Sequence, residues 1–368
     1  MGNLLKFFEK VFKCFLRKPL NKSCTKDVPI TLTILNRQIE YFNTKEAKEC
    51  LKKFNIRPTD LTGPKIGKVT YYDTQSLGRL KILEDDEKLK SYPLNLGKNL
   101  DSSMKIFAYD ESLQKFFTLQ GTVIFTSHAL LAVDEDDYDF ACKVMMYFLT
   151  SAVKYQNYPN VICSEEPEID FKKKYLEDRY DFILSKIPKN SLIFIDGAYV
   201  GEQQTSYNRR MVHDLLNNNV ASVFIVKNSS SRMLINNMGR AISSEYNSDF
   251  HYINHYLKVG ERTSHILYVD PVNPDNQKVF GFIKCFDGIP QRYEMDYNVY
   301  KNYKDKLDLI MDLIYYFSIL QGDPKNPQLR PIAIAELYAR EALNYLDPSK
   351  EVLNYHLDFT MNQNRGLA

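Results

Sequence analysis

Two short apolar stretches, each closed by an aspartate, decide the fold of this sequence: KIFAYD at residues 105–110 and LIFIDG at residues 192–197. Each run is long enough for a strand of a buried sheet, and it stops at Asp110 in the first stretch and at Asp196 in the second. We therefore predict that both carboxylates lie at the edge of such a sheet. A lone aspartate after a strand is more often a turn residue or a helix cap, so the repetition adds only modest weight.

The segments around these stretches alternate between strand and helix patterns. Residues 121–133 predict one or two further strands, whereas residues 138–155 (YDFACKVMMYFLTSAVKY) carry apolar side chains at helical intervals and predict a helix. Strands that alternate with helices indicate an α/β layered domain. The later predictions are helices at 171–187, 208–219, 304–321 and 330–346, and strands at 191–196, 221–227, 264–270 and 278–286.

Composition limits the class of protein without deciding its function. The 368 residues are 26% charged and 44% hydrophobic, which is typical of a soluble globular chain with one large or two modest domains. The formal net charge of +2 shows no global excess of positive charge, so any surface for nucleic acid has to be locally basic. The 13% of aromatic residues can fill the core or offer stacking surfaces for bases. No GxxxxGK[ST] or GxGxxG motif is present, so ATP hydrolysis would require a partner.

Neither the cysteines nor the amino terminus indicates secretion or membrane insertion. The six cysteines are scattered without a CxxC pair, which is typical of reduced thiols in a cytoplasmic protein. Residues 1–20 alternate apolar and basic side chains at helical spacing, and their charges argue against a transmembrane segment. We expect this helix to pack on its own domain, although it could also lie on a membrane surface or dock on a partner.

Several charged residues are further candidates for chemistry. Glu177 lies on a predicted helix, where a solvated helix face explains it equally well and Asp178 and Asp181 are rivals. Lys227 closes a predicted strand and Arg232 follows it in a serine-rich turn. Two such cations could clamp a phosphate, although a basic residue at the end of a strand is usually solvated.

Two more pairs have a functional and a structural explanation. Arg292 and Glu294 lie two residues apart on a predicted strand and therefore face the same side, so an ion pair is as good an explanation as a role in a site. His251 and His255 have the i, i+4 spacing of zinc ligands on a helix. A third ligand and the glutamate of an HExxH motif are missing, so surface or core histidines are the better interpretation.

The order of these features resembles the NurA nuclease family: an apolar strand ending in Asp110, a helix that carries Glu177, and a second strand ending in Asp196 and Gly197. Three later segments follow as they do in that family, VFIVKNSSSR at 223–232, LKVGERTS at 257–264 and FGFIKCFDGIPQRYE at 280–294. The likeness covers the chain from residue 104 to residue 342.

The resemblance implies an α/β fold with an RNase H-like mixed sheet flanked by helices. We expect an N-terminal accessory region at residues 1–100, a nuclease domain at residues 101–345 that includes C-terminal helices, and a C-terminal tail at residues 346–368. Members of the family cut single-stranded DNA internally, digest ends in the 5′ to 3′ direction and form homodimers. They work with the HerA hexameric ATPase in processing DNA ends during double-strand break repair.

The resemblance also implies the residues of the site. Asp110, Glu177 and Asp196 are expected to bind Mn²⁺ or Mg²⁺, with two ions in the site, and so to hydrolyse DNA. The DNA itself would be contacted by a set of basic residues, which consists of Lys227, Arg232, Arg292 and Arg330.

Three positions depart from the family pattern. Glu111 follows the first aspartate, where the family has glycine, and Arg330 stands before Pro331, where the family has tyrosine. Tyr338 lies near the position of a family histidine; Tyr338 could orient water and Arg330 could contact phosphate. The alternative is therefore a catalytically weakened subunit that binds DNA ends or the ATPase. A third possibility is a phosphoesterase that acts on RNA or on a small nucleotide.

Overall fold

The computed structural model describes residues 38–46, 79–84, 89–96, 104–133, 138–151, 160–200, 204–227, 229–238, 246–270 and 273–363. All of them lie in one of the two units into which the chain divides, Ile34–Ala368. The prediction for residues 1–20 falls outside the described residues. No helix among the described residues is long and apolar enough to cross a membrane. The cysteines in these segments, Cys142, Cys163 and Cys285, are buried free thiols.

Strands from the whole described part of the chain join one mixed sheet of thirteen strands. They are β1 (Gln38–Tyr41), β2 (Arg79–Ile82), β3 (Ser91–Pro93), β4 (Lys105–Thr118), β5 (Gly121–Val133), β6 (Tyr138–Thr150), β7 (Val161–Cys163), β8 (Ser191–Asp196), β9 (Val220–Val226), β10 (Glu261–Thr263), β11 (Ile266–Val269), β12 (Gln277–Lys284) and β13 (Gln291–Asp296). Their order is β1-β6-β5-β4-β8-β9-β13-β12-β10-β3; β11 pairs with β12 and β2, and β7 pairs with β6.

The α-helices of the described residues follow the predicted pattern closely. They are α1 (Pro167–Lys186), α2 (Gln204–Asn217), α3 (Met233–Asn237), α4 (Asp249–Tyr256), α5 (Tyr297–Asn302), α6 (Leu307–Gln321), α7 (Arg330–Leu346) and α8 (Pro348–Asn354). The four helices predicted from residue 171 onward are confirmed as α1, α2, α6 and α7. The strands predicted there are confirmed as β8, β9, β11 and β12.

The centre of the sheet combines an antiparallel meander with parallel strands. Strands β4, β5 and β6 are antiparallel neighbours. Strand β8 then joins β4 in parallel, and β9 joins β8 in parallel. A mixed sheet flanked by helices confirms the predicted α/β class, and three antiparallel strands followed by two parallel ones are the order expected of an RNase H-like core.

The helix predicted at residues 138–155 is wrong, because Tyr138–Thr150 is the strand β6. This strand lies between β5 on one side and β1 and β7 on the other, and almost all of its side chains are buried. A strand that is covered on both faces is an apolar run without alternation, and such a run cannot be distinguished from a buried helix by periodicity. Its phenylalanine, valine, tyrosine and threonine residues favour the strand.

The strand expected to stop at Asp110 is also longer than predicted. Strand β4 continues through this residue to Thr118 and pairs with β5 along its whole length. On its other side, β4 pairs with β8 only from Lys105 to Tyr109. Asp110 therefore lies in the middle of its own strand, and the edge at this point is made by the end of the neighbouring strand.

Helices cover both faces of this central region. Side chains alternate along β4, so Tyr109 and Glu111 face one side of the sheet and Asp110 faces the other. On the first side, the Arg179 guanidinium of α1 lies 5.2 Å from the centre of the Tyr109 ring. On the second side, α7 packs across β4, β5 and β6. Helix α7 is therefore placed to bring a side chain toward Asp110.

Described residues from both ends of the chain add to the same sheet. Strand β1 pairs in parallel with β6, while β2 and β3 pair antiparallel with β11 and β10. Beyond α8, the Leu119 N–H donates to the Asp358 carbonyl at 2.8 Å and the Thr360 N–H donates to the Phe117 carbonyl at 3.1 Å. The boundaries expected at residues 100 and 345 remain predictions.

One glycine of the sheet is required by a close approach. A Cβ at Gly281 on β12 would overlap the Tyr293 hydroxyl of β13 and come within 2.6 Å of the ring carbon Cζ. That hydroxyl is hydrogen-bonded to the buried His265 Nδ1 at 2.7 Å, so the ring has little freedom to move away. By contrast, a Cβ at the turn residue Gly288 would meet only the Pro324 carbonyl oxygen at 3.5 Å, an ordinary contact.

We predict that Gly281→Ala lowers the free energy of unfolding by about 1–3 kcal/mol, because the added methyl group overpacks a rigid core. The matched control Gly288→Ala should stay within about 0.5 kcal/mol of the wild type. Chemical denaturation of the two variants measures the difference. Equal stabilities would show that the tyrosine ring has room to shift.

Candidate functional site

The register between β4 and β8 brings the two predicted aspartates together. Tyr109 on β4 lies opposite Ile195 on β8, and in parallel strands the next residues, Asp110 and Asp196, face the same side. Asp110 is 5% exposed, whereas the side chain of Asp196 is 25% exposed. The pair therefore has a buried member inside the sheet and an accessible member at the end of β8.

Lys227 neutralises part of this negative charge. It follows β9 directly, and its Nζ lies 3.2 Å from Asp196 Oδ2 and 4.0 Å from Asp110 Oδ2. Lys227 thus lies beside both predicted aspartates. In this structure its ammonium contacts carboxylates, and a role in holding phosphate stays a prediction.

A third carboxylate, Glu336, completes the cluster. It lies on α7, and its Oε2 is 3.7 Å from Lys227 Nζ. Gln328 donates a hydrogen bond to Glu336 Oε2 at 2.9 Å, and Arg340, one helical turn further on, forms an ion pair with Oε1. Sequence reasoning missed Glu336. The i, i+4 pair of glutamate and arginine was visible, but on a helix such a pair usually marks a solvated face.

Burial and mutual repulsion shift the acidity of this cluster. Burial, followed by the charge of Asp196, raises the pKa of Asp110 far above the ordinary aspartate range. Burial also raises the pKa of Asp196, although Lys227 opposes the shift. The pKa of Glu336 moves the other way: its partial burial is outweighed by the Gln328 hydrogen bond and by the charges of Lys227 and Arg340.

The loop after β8 fixes the direction of Asp196. Gly197 has a φ of 103°, a conformation that L side chains rarely adopt, and its N–H donates to the Ile225 carbonyl at 2.9 Å. Two residues later, the Tyr199 N–H donates to the buried Glu294 Oε2 at 2.9 Å. The loop is therefore attached to two neighbouring strands, which leaves the aspartate little freedom to turn away.

Arg292 supports this loop from within the protein. Its guanidinium lies 2.6 Å from Glu294 Oε1, and Lys278 Nζ lies 2.8 Å from the same oxygen. Arg292 is 4% exposed and Glu294 is fully buried. The structure thus shows an ion pair between Arg292 and Glu294, which was one of the two explanations for these residues. Because Arg292 is buried, its guanidinium has no exposed surface that could contact DNA.

The structure does not bring Glu177 into the cluster. Its side chain is 51% exposed on α1, and the ion partner that it approaches is Lys174, at 4.0 Å. Helix α1 covers the face of the sheet opposite to Asp110. The solvated helix face therefore describes Glu177 better than the ligand role that the family resemblance implied.

The contacts of the other predicted residues lie outside the cluster. Arg232 is half-buried and donates to the carbonyls of Tyr246 and Asn247 at 3.1 and 2.9 Å. Arg330 is half-buried at the first residue of α7. Tyr338 stacks on Phe140 of β6 with 4.1 Å between ring centroids, on a different side of α7 from Glu336. None of these contacts places the three residues at the aspartates.

Glu111, which departs from the family pattern, belongs to a polar network on the opposite face. Its Oε2 accepts a hydrogen bond from the Tyr109 hydroxyl at 2.6 Å and lies 3.9 Å from His128 Nδ1. Partial burial would raise its pKa, but the charge of Arg179 and then that of His128 outweigh this and lower it. Burial lowers the pKa of His128 to about 4. The network keeps a carboxylate ionised directly behind the aspartate pair.

The donor chemistry of the cluster fits a hard divalent cation. Asp110, Asp196 and Glu336 supply carboxylate oxygens, which Mg²⁺ and Mn²⁺ prefer. Two of these oxygens, Asp110 Oδ2 and Asp196 Oδ1, are buried without a hydrogen-bond partner. Their spacing, however, is set around the Lys227 ammonium, and no group of three His, Cys, Asp or Glu side chains in the described segments is arranged to hold a metal ion.

No protein family model matches the chain, and no curated protein matches it. Solved structures with a similar arrangement include the NurA nuclease from Sulfolobus solfataricus, at 13% identity and a TM-score of 0.45 over 71% of this chain and 86% of that one. A NurA structure bound to dAMP and manganese has 10% identity and a TM-score of 0.33 over 66% and 85%. Endonuclease V from Bacillus subtilis has 10% identity and a TM-score of 0.35 over 70% and 88%. Similarity at this level establishes neither family nor activity.

We predict that Asp110→Asn stabilises the fold near neutral pH in the presence of a chelator. The unfolded chain releases the Asp110 proton above about pH 4, whereas the folded state keeps this proton to a higher pH because its pKa is raised. The free energy of unfolding therefore falls as the pH rises from about 4 toward the raised pKa of the folded state. The asparagine variant should gain about 1–2 kcal/mol at pH 7. The gain should vanish below about pH 4, where the aspartate is protonated in both states.

The matched control is Asp214→Asn on α2. The hydrogen bond from the Tyr180 hydroxyl, 2.5 Å long, lowers the pKa of Asp214, so its replacement should lose stability at pH 7. Urea unfolding of both variants at pH 4 and pH 7 gives the comparison. A loss of stability in both variants would contradict the electrostatic strain assigned to Asp110.

Proposed function

We propose that this chain is a divalent-metal-dependent DNA nuclease. The observation that carries the proposal is that the carboxylates of Asp110, Asp196 and Glu336 all lie within 4.0 Å of the Lys227 Nζ. Two of their oxygens, one on each aspartate, are buried without a hydrogen-bond partner. Isolated carboxylates are rarely buried without a partner, because desolvation is costly. A site that binds a cation compensates for this cost and uses the charge for phosphodiester hydrolysis.

Each residue of the cluster has its own role in the proposed reaction. Asp110 and Asp196, fixed on the sheet, and Glu336 on α7 would hold the metal. When bound, a divalent ion supplies an activated water and charge for the leaving oxygen. Gln328 and Arg340 orient Glu336 through their contacts with its two oxygens. Lys227, once released from the carboxylates, can offset negative charge on the scissile phosphate.

The finer description follows the family resemblance of the sequence. In that description the substrate is single-stranded DNA or a DNA end, the products arise by endonucleolytic cleavage and by 5′ to 3′ digestion, and the metal is Mn²⁺ or Mg²⁺. The chain would act as a homodimer together with a HerA-like ATPase in the processing of double-strand breaks. Glu336 takes the place that the resemblance gave to Glu177, because only the former lies with the aspartates.

Cleavage of a labelled single-stranded oligonucleotide with Mn²⁺ tests the proposal. We predict that Asp196→Ala reduces cleavage to background and that Glu336→Gln reduces it by about 10–100-fold. The matched control is Glu177→Gln, which removes a charge of the same kind from the opposite face and should leave the rate within twofold of the wild type, about 0.4 kcal/mol.

Three outcomes separate the assignments. Full activity in folded Asp196→Ala protein would overturn the assignment of the nuclease site to this cluster, and absence of cleavage by the wild type would overturn the nuclease proposal. Loss of activity in Glu177→Gln with full activity in Glu336→Gln would keep a nuclease but restore the carboxylate set implied by the resemblance. Circular dichroism of each variant excludes unfolding as the reason for a loss.

The position of Lys227 favours a second candidate, a catalytically weakened subunit that binds DNA ends or a partner ATPase. With its Nζ within 4.0 Å of three carboxylates, Lys227 occupies the place between them and offsets part of their charge. Such a protein needs no metal. The two candidates therefore differ in whether Mn²⁺ can displace the ammonium.

Calorimetric titration with Mn²⁺ distinguishes these candidates. For the nuclease, we predict that the wild type binds Mn²⁺ and that Lys227→Met binds it about tenfold more tightly, because about 1.4 kcal/mol of competing attraction is lost. Replacing the lysine should also lower the stability of the metal-free protein. Absence of binding heat in both proteins would support the non-catalytic subunit.

A further inference from the structure

Three aromatic rings at helix α4 form one surface, defined by Tyr246, His251 and His255 and called the Tyr–His surface below. The ring centroids lie 5.1 Å apart for Tyr246 and His251, 6.0 Å apart for Tyr246 and His255, and 5.3 Å apart for the two histidines. Both histidines are exposed and the tyrosine is half-buried. The surface therefore offers rings to a ligand rather than to the core.

A second layer of rings supports this surface from below. Tyr252 meets the Tyr246 ring edge-on at 5.2 Å and stacks on Tyr256 at 5.8 Å. Tyr252 and Tyr256 pack against a buried cluster that includes Phe250 and Ile253. Because the outer rings rest on a packed layer, little side-chain freedom remains to be lost when a ligand binds.

Hydrogen bonds fix the backbone of the Tyr–His surface. Arg232 donates to the carbonyls of Tyr246 and Asn247, which explains why this predicted DNA contact is engaged with the protein itself. Ser248 caps α4 by accepting the His251 N–H at 3.1 Å. The Asn247 N–H lies 3.4 Å from His251 Nδ1 and donates to it, so the imidazole keeps a defined orientation.

The Tyr–His surface is linked to the carboxylate cluster by a short segment. Ser231 follows Lys227 by four residues, which limits the distance between their Cα atoms to about 14 Å. The Asp249 N–H donates to the Ser231 carbonyl at 2.8 Å, and the Ser231 hydroxyl donates to Asp249 Oδ2 at 2.9 Å. The start of α4 is thereby held beside the chain that leaves the cluster.

We infer that the Tyr–His surface stacks bases of single-stranded DNA that extends from the carboxylate cluster. This inference rests on the proposed function and specifies how its substrate is held. Aromatic rings bind bases of any sequence through their faces, and histidine and tyrosine both serve in this way. A zinc site would need further ligands, and the described residues offer no third one beside the two histidines.

The inference predicts a loss of affinity that depends on rings and not on phosphate contacts. In EDTA, which prevents cleavage, Tyr246→Ala and His251→Ala should each weaken binding of a labelled single-stranded oligonucleotide by about tenfold. The slope of log K against log salt should stay unchanged, because no lysine or arginine contact to phosphate is removed. Fluorescence anisotropy at several salt concentrations measures both quantities.

Two controls separate stacking from a general loss of structure. Tyr246→Phe keeps the ring and should bind like the wild type. Tyr345→Ala removes an exposed tyrosine from α7, away from the Tyr–His surface, and should also have no effect. An oligonucleotide that carries 2-aminopurine should lose its stacking-dependent quenching in Tyr246→Ala but not in Tyr345→Ala.

The outcomes distinguish this inference from the proposed function. Unchanged affinity and quenching in a folded Tyr246→Ala, His251→Ala double variant would overturn the stacking surface, while Mn²⁺ binding by calorimetry would still report on the metal cluster. Conversely, weakened binding in the double variant together with no cleavage by the wild type in Mn²⁺ would keep the surface and overturn the nuclease assignment.

Discussion

The contact between the Lys227 ammonium and three carboxylates is the interaction on which the rest of the site depends. Asp110 is almost completely buried, and Asp196 and Glu336 are only about one quarter exposed. Carboxylates this close together repel one another strongly in a medium of low polarity, and a single cation offsets part of that repulsion. Burial raises the pKa of both aspartates even beside Lys227, so the cation does not offset the whole cost of burying these groups.

The strand side of the cluster is rigid, whereas the helix side can adjust. Asp196 is fixed by a loop that is attached to Glu294, a fully buried carboxylate held by two cations. Glu336 reaches the cluster from α7, and its partners Gln328 and Arg340 are side chains with several rotatable bonds. If a metal ion replaces the ammonium, the change in spacing can be taken up by Glu336 and Lys227 without any movement of the sheet.

Local patterns predicted the main helices and most strands from residue 171 onward, but they could not predict the pairing that builds the site. Strand β6 is buried on both faces, so its apolar run lacked the alternation that marks a strand. Glu336 lies 140 residues beyond Asp196, and nothing along the chain distinguishes it from a solvated glutamate. Glu177 was proposed from the order of motifs, and that order carries no information about the face of the sheet that α1 covers.

The buried charges around Arg292 show why residue type alone misleads in this protein. The family resemblance implied a DNA contact for Arg292, yet Lys278, Arg292 and Glu294 together form a buried ion cluster in which Glu294 accepts a hydrogen bond from the Tyr199 N–H. Such clusters contribute little net stability, since desolvation offsets their attraction, and fixing one geometry is the role that remains for them. Here that geometry is the loop that carries Asp196, so positive charge inside the protein fixes the direction of a carboxylate in the cluster.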